Sequence, residues 1–333
     1  MAKLKDFIDK YELIVFDMDG VITSENGYWN AAALTVYELL NSKEYFGQRF
    51  LDLNNVFSNL TMIRKVVFSD DKIISLLKNK GVNSNWDLAY VVFCASIINH
   101  TKDPNEIYKY LSELSDNILN DYEKIAITTA IVLGKPSEYC IRGGELWQTV
   151  VDIFQRWYLG TNSVPALIDK EIPLLDKQKI DFVLKSLSEK TRLGYGTGRV
   201  AEEIIPPLTK WDYLKYFSSN ACVSYDYVVK SEKTLAEHGI TATLTKPDPY
   251  MFLQAAFGTE YDCLKLYNKE YSNDKIKNTL IVGDAGADIL AAHSAGFDFC
   301  AVLTGVSGKN AKPYFESQNA EYILDSILDF IEE

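Results

Sequence analysis

The sequence predicts an α/β fold, a parallel sheet core with a large all-helical insertion. Two observations carry this reading. Short apolar runs that stop at a carboxylate or a hydroxyl alternate with helical periodicity in residues 177–333, as in βα units. Residues 24–176 instead show apolar side chains at helical spacing throughout.

The first run, Leu13-Ile14-Val15-Phe16, reads as a strand buried on both faces, within a segment spanning 12–17. It stops at Asp17-Met18-Asp19-Gly20, and ligands of open α/β sheets gather at such carboxyl ends. Unpaired buried carboxylates are costly, so Asp17 and Asp19 point to chemistry rather than to stability. A calcium loop would need a further acid or amide and then a glycine where Val21 and Ile22 stand. In the insertion, Asn30–Leu40, Asp71–Leu77, Trp86–Ile98, Pro104–Leu119 and Glu145–Leu159 carry the helical pattern. Phe154, Trp157 and Tyr158 recur at core spacing; Glu25, Trp29 and Arg142 are the side chains there that could face a substrate.

The core pattern resumes with a helix over Lys177–Leu187 and a strand over 192–196 that ends in Thr197-Gly198-Arg199. A hydroxyl beside unhindered backbone N–H groups suits an anion. As a dinucleotide fingerprint this stretch fails, because Arg199 stands where the third glycine belongs. A short strand follows near 221–229. In Lys246-Pro247-Asp248-Pro249 the prolines restrict the backbone around a lysine at a helix start, suiting a fixed positive charge for phosphate. The strand 279–283 ends at Asp284, with Asp288 at the mouth of the next helix. Asp288 can serve the helix macrodipole there, whereas Asp284 at the strand end has no such structural role. A strand over 298–303 and a short strand with a terminal helix in Ala320–Ile331 complete the core.

Taken in order, these motifs resemble the haloacid dehalogenase-like (HAD) superfamily, over Leu13–Thr23 and from Lys177 onward. The resemblance implies a Rossmann-like catalytic core formed by 1–23 and 177–333. It also implies a helical cap over 24–176, at the place where the family carries its first cap type. It makes Asp17 the nucleophile, Asp19 the general acid/base and Lys246 the lysine that steadies both nucleophile and transferring group. Thr197, Gly198 and Arg199 become the substrate-phosphate residues. Mg²⁺ would be held by the carboxylates of Asp17 and Asp284 and the Asp19 backbone carbonyl, with Asp288 in support. Four carboxylates around a phosphate explain the need for a cation: like charges near 4 Å repel by about 4 kcal/mol per pair at an effective dielectric of about 20.

The whole chain bounds this further. At 333 residues two domains are expected, and 47% hydrophobic with 24% charged residues is a globular composition. A net charge of −12 argues against nucleic acid as partner and leaves small phosphates open. Cys94, Cys140, Cys222, Cys263 and Cys300 are scattered without zinc spacing and read as reduced thiols. With only His100, His238 and His293, a catalytic triad or a His-rich metal site is hard to build. No signal-peptide stretch and no run of about 18 apolar residues occurs, so the protein is expected in the cytoplasm and off the membrane. The expected function is a Mg²⁺-dependent phosphatase of a small phosphorylated metabolite, working through an aspartyl-phosphate. A sugar phosphomutase is the nearest alternative, disfavoured by Trp29 where related mutases place a histidine. A non-catalytic phospholigand-binding protein is the other, and it would need neither nucleophile nor acid.

Overall fold

Leu13–Phe16 forms β1, every residue buried. Among the described residues the remaining strands are β2 (Arg192–Gly196), β3 (Phe217–Val223), β4 (Thr279–Gly283), β5 (Asp298–Val302) and β6 (Tyr322–Leu324). They make one six-stranded sheet in the order β3-β2-β1-β4-β5-β6, with every pairing parallel. This computed structural model describes residues 3–82 and 84–332; Met1, Ala2, Asn83 and Glu333, which the expected domains include, lie outside the described residues.

Strand alternation explains the two core layers of this sheet. Ile14, Phe16, Leu280, Val282, Cys300 and Val302 face one layer, closed by the helices Lys177–Ser188 and Ala201–Trp211 and by Ile327 and Phe330. Leu13, Val15, Ile281, Phe299 and Ala301 face the other, closed by the helices Tyr225–Glu237, Tyr250–Phe257 and Gly286–Ala295. Continuous apolar strands are what burial on both faces demands. The chain runs outward through β1, β2 and β3 and then returns to place β4 on the other side of β1. That reversal opens a crevice at the carboxyl ends of β1 and β4, which is where Asp17 and Asp284 follow.

The chain divides into two compact units, Met1–Ser24 with Ile172–Glu333, and Glu25–Glu171. The return boundary therefore stands earlier than the expected 176/177. Thr23 pairs antiparallel with Pro173, and the Leu174 N–H donates to the Ile22 carbonyl at 2.9 Å, drawing this stretch into the sheet unit. In the second unit, Asn26–Asn41 packs against Leu60–Phe68, Asn85–Ile98 and Glu145–Leu159. Phe154, Trp157 and Tyr158 are buried in its core. Glu38, itself buried, accepts from Trp157 Nε1 at 2.8 Å and pairs with Arg156.

Several elements depart from expectation. The strand expected near 221–229 lies at Phe217–Val223, and Tyr225–Glu237 is a helix whose buried Val228 and Leu235 face the sheet. The segment Pro104–Leu119 is a helix only to Ser112 and resumes as a 3₁₀ turn at Ile118–Asp121. The terminal helix is a 3₁₀ turn, Ile327–Phe330, capped by Ser326. Helices Ala201–Trp211 and Tyr122–Leu133 carried no expectation. In the first, Pro206 and Pro207 read as helix breakers, yet burial of Ile204, Leu208 and Trp211 outweighs them. All five cysteines are free, as expected. Among the described residues, no helix is long and apolar enough to cross a membrane.

Candidate active site

Parallel register sets the geometry. Phe16 lies opposite Val282 on one side and Tyr195 on the other, so Asp17 leaves the sheet level with Gly283 and Gly196. Asp284 and Thr197 follow one residue later on the flanking strands. The Asp17 N–H still donates to the Val282 carbonyl at 2.7 Å, and the Thr197 N–H to the Val223 carbonyl at 3.0 Å. The sheet ladder thus holds the backbone at both positions.

Lys246 joins the cluster from the loop before Tyr250–Phe257, where Asp248 Oδ1 accepts from the Tyr250 N–H at 2.9 Å. The Lys246–Pro247 peptide is cis. Its ammonium lies 2.7 Å from Asp17 Oδ1 and 2.9 Å from Asp288 Oδ1, and 4.7 Å above the Phe252 ring. Asp288 is buried at the start of Gly286–Ala295, where its Oδ2 also accepts from the Ala285 N–H at 3.2 Å. One carboxylate oxygen from each of Asp17, Asp284 and Asp288 falls within 4.8 Å of the others.

Bare backbone closes around Asp284. A Cβ on Gly20, where φ is +77°, would lie 2.2 Å from Asp284 Oδ2, and one on Gly305 would lie 1.9 Å from it. Thr304 Oγ1 donates to the Gly20 carbonyl at 2.5 Å and ties these two loops together. Gly283 serves Asp288 in the same way, since a Cβ there would meet the Asp288 Cβ at 2.6 Å.

The electrostatics follow from this crowding. Burial pushes the Asp17 carboxyl up to about 7; the Lys246 charge opposes this, and the Asp288 and Asp19 charges add to it. Burial alone would lower the Lys246 ammonium, but the Asp17 and Asp288 charges outweigh it and hold that group above its usual range. One lysine does not balance three adjacent carboxylates. All-oxygen donors in a tight, negatively charged cradle fit a hard divalent cation such as Mg²⁺.

Thr197 is fully buried and its Oγ1 accepts from the Arg199 N–H at 3.2 Å, while the space over Gly198 is open to 4 Å. The Arg199 side chain, expected at the substrate phosphate, lies instead on Asp19: its Nε is 3.1 Å from both carboxylate oxygens. Asp19 Oδ1 also accepts from Thr23 Oγ1 at 2.9 Å. The Asp19 carboxylate is outside the acidic trio of Asp17, Asp284 and Asp288, in keeping with the expectation that only its backbone carbonyl faces the metal. The roles of Thr23, Thr304 and Gly305 escaped sequence reasoning. A signal for the last two existed, since β5 runs on into Thr304-Gly305 much as β2 runs on into Thr197-Gly198.

The remaining candidates are engaged within the second unit. Glu25 accepts from Lys78 at 2.6 Å and from Asn85 at 3.2 Å, and the Arg64 guanidinium lies 5.1 Å from the Trp29 ring centre. Arg142, half-exposed, pairs with buried Asp87 at 3.0 Å.

Comparison with known proteins places this constellation. The HAD-hydrolase-like family matches residues 243–330, the stretch carrying Lys246, Asp284 and Asp288. D-glycero-β-D-manno-heptose-1,7-bisphosphate 7-phosphatase of Vibrio cholerae serotype O1 is 30% identical over 173 residues, covering 46% of this chain and 81% of that protein. A crystal structure from the Northeast Structural Genomics Consortium superposes with a TM-score of 0.78 at 26% identity, covering 95% of this chain and 96% of that one. From the sheet order, the acidic strand ends and these likenesses together, the chain belongs to the HAD-like hydrolase superfamily, as a phosphoric monoester hydrolase.

Proposed function

We propose that the protein is a Mg²⁺-dependent phosphatase of a small phosphorylated metabolite, with Asp17 as nucleophile. The observation that carries this is Lys246 bridging Asp17 and Asp288 beside Asp284, at the crevice where the sheet order reverses. The ammonium holds Asp17 Oδ1 and leaves the second carboxylate oxygen for attack on phosphorus. Displacement of the ester oxygen gives an aspartyl-phosphate, which splits the hydrolysis into two easier steps. In this reading Asp19 gives a proton to the leaving oxygen and then takes one from the water that cleaves the acyl phosphate. Thr197 and the N–H groups around Gly198 supply donors for the non-bridging phosphate oxygens. Asp17, Asp284 and the Asp19 carbonyl would hold the Mg²⁺, with Asp288 supporting. When bound, the ion supplies charge neutralisation for a dianionic ester.

A small-metabolite substrate is supported by the heptose-bisphosphate phosphatase among the relatives. It is also supported by the absence of a large basic surplus, since the net charge is −12. Release of inorganic phosphate from a panel of sugar, glycerol and carboxylate phosphates, with Mg²⁺ and in excess EDTA, tests both parts. Slow turnover of an aryl phosphate and faster turnover of one metabolite class, each abolished by EDTA, is the expected result. Undiminished turnover in EDTA would remove the metal from the reading.

A further inference from the structure

Arg199 is 2% exposed, and burying a guanidinium costs several kcal/mol unless good geometry compensates. Its guanidinium lies along the Asp19 carboxylate, with Nε 3.1 Å from both oxygens and Nη2 2.5 Å from Oδ1. The same Nη2 donates to the Ser24 carbonyl at 3.3 Å. Its backbone is held as well: the N–H on Thr197 Oγ1 at 3.2 Å, the carbonyl under the Tyr225 N–H at 2.8 Å. Thr23 adds a hydroxyl donor to Asp19 Oδ1 at 2.9 Å. The Asp19 side chain, by contrast, is 25% exposed.

We propose that Arg199 is a positioning residue for Asp19: with Thr23 it fixes the plane of the carboxylate that exchanges protons with the leaving oxygen and the attacking water. This rests on the phosphatase reading above. Without such partners the carboxylate is free to rotate about its side-chain bonds, and misplacing an acid by an ångström costs much of its advantage. A planar fork sets both position and plane, which a lysine, as a point charge, cannot do. Arg199 keeps its own protons throughout; the exchanged proton moves only between Asp19, the leaving oxygen and water.

The test uses the full chain with saturating Mg²⁺ and measures rapid-mixing bursts and steady-state turnover. Substrates are p-nitrophenyl phosphate and the best alkyl phosphate of the panel, and the variants are Arg199→Lys, Arg199→Met, Thr23→Val and Asp17→Asn. Nitrophenolate needs little acid assistance, so its burst in the Arg199 variants should stay within a few-fold of wild type. Alkyl-phosphate kcat should fall by about 10²-fold, the lower end of what general acid–base assistance is worth, with KM little changed. Thr23→Val should show the same pattern more weakly. Thermal melts identify any variant that fails to fold; should Arg199→Met do so, Arg199→Lys and Thr23→Val carry the test. Bursts slowed equally for both substrates, with raised KM, would show Arg199 to be a phosphate ligand and overturn the positioning role alone. Continued turnover by Asp17→Asn would overturn the phosphatase reading itself.

Discussion

At Asp17 the chain concentrates its cost and its use in one carboxylate. Largely shielded from solvent, paired with Lys246 and crowded by Asp288, it has the setting that the proposed nucleophile needs, where few waters compete with the carboxylate for the phosphorus. Asp19, two residues on, sits in a different environment, on Arg199 and Thr23. Two carboxylates in distinct settings support two distinct jobs. Asp17→Asn should reduce phosphate release to background. Asp19→Asn should keep a burst of nitrophenolate from the aryl ester and then turn over slowly, with alkyl esters losing about 10²- to 10⁴-fold. Equal losses on both ester types with no burst would count against the role given to Asp19.

Elements position these residues through close backbone approaches. Gly194 in β2 is one: a Cβ there would lie 2.3 Å from the Ala221 carbonyl oxygen of β3. Since backbone must yield, Gly194→Ala should destabilise the fold by about 1–3 kcal/mol, as overpacking does. Chemical denaturation reads this directly, and an unchanged midpoint would show that β3 can move at no cost. Gly305 is the other, after β5. A Cβ there meets the far end of the Asp284 side chain at 1.9 Å, so the side chain rather than the strand must give. Gly305→Ala should therefore leave the melting temperature of the metal-free protein nearly unchanged and weaken Mg²⁺ binding by about tenfold or more, about 1.4 kcal/mol. Calorimetric titration with Mg²⁺ measures it; wild-type affinity would mean that Asp284 is not a ligand.

For the whole molecule, the acidic crevice adds to an overall charge of −12 and couples folding to pH and, in the proposed reading, to a metal. Asp17 is raised in the folded state, to about 7. A carboxyl raised on folding stabilises fully below its ordinary range and loses that contribution as pH climbs through the folded value. The metal-free protein should lose stability from this site between about pH 4 and pH 8. A cation that prefers the ionised form reverses the loss, so the rise in melting temperature caused by Mg²⁺ should be larger near pH 8 than near pH 5.5. Melts in EDTA and in Mg²⁺ across that range check the sign; a shift independent of pH would mean that Asp17 is not the group displaced.

The α/β class was legible in the sequence, because short runs ending at Asp17, Thr197 and Asp284 alternate with helical periodicity, as βα units in a parallel sheet do. It also marked Asp17 and Asp284, since carboxylates at strand ends have a cost that stability alone does not explain, and Lys246, because the prolines after it restrict the backbone at a helix start. Local pattern was less reliable where burial overrode it. The helix Ala201–Trp211 forms despite Pro206 and Pro207, and β3 begins at Phe217, four residues before the expected start, since its exposed middle blurs the apolar signal. Tertiary structure alone decided which charges meet. Nothing in Thr197-Gly198-Arg199 says whether the arginine faces a phosphate or a neighbouring loop, because side-chain direction after a strand depends on what packs above it. The fold lays Asp19, 180 residues away in sequence, beneath that guanidinium, and brings Gly305 against Asp284. Pairing across such separations is a property of strand order and register, which no local spacing encodes.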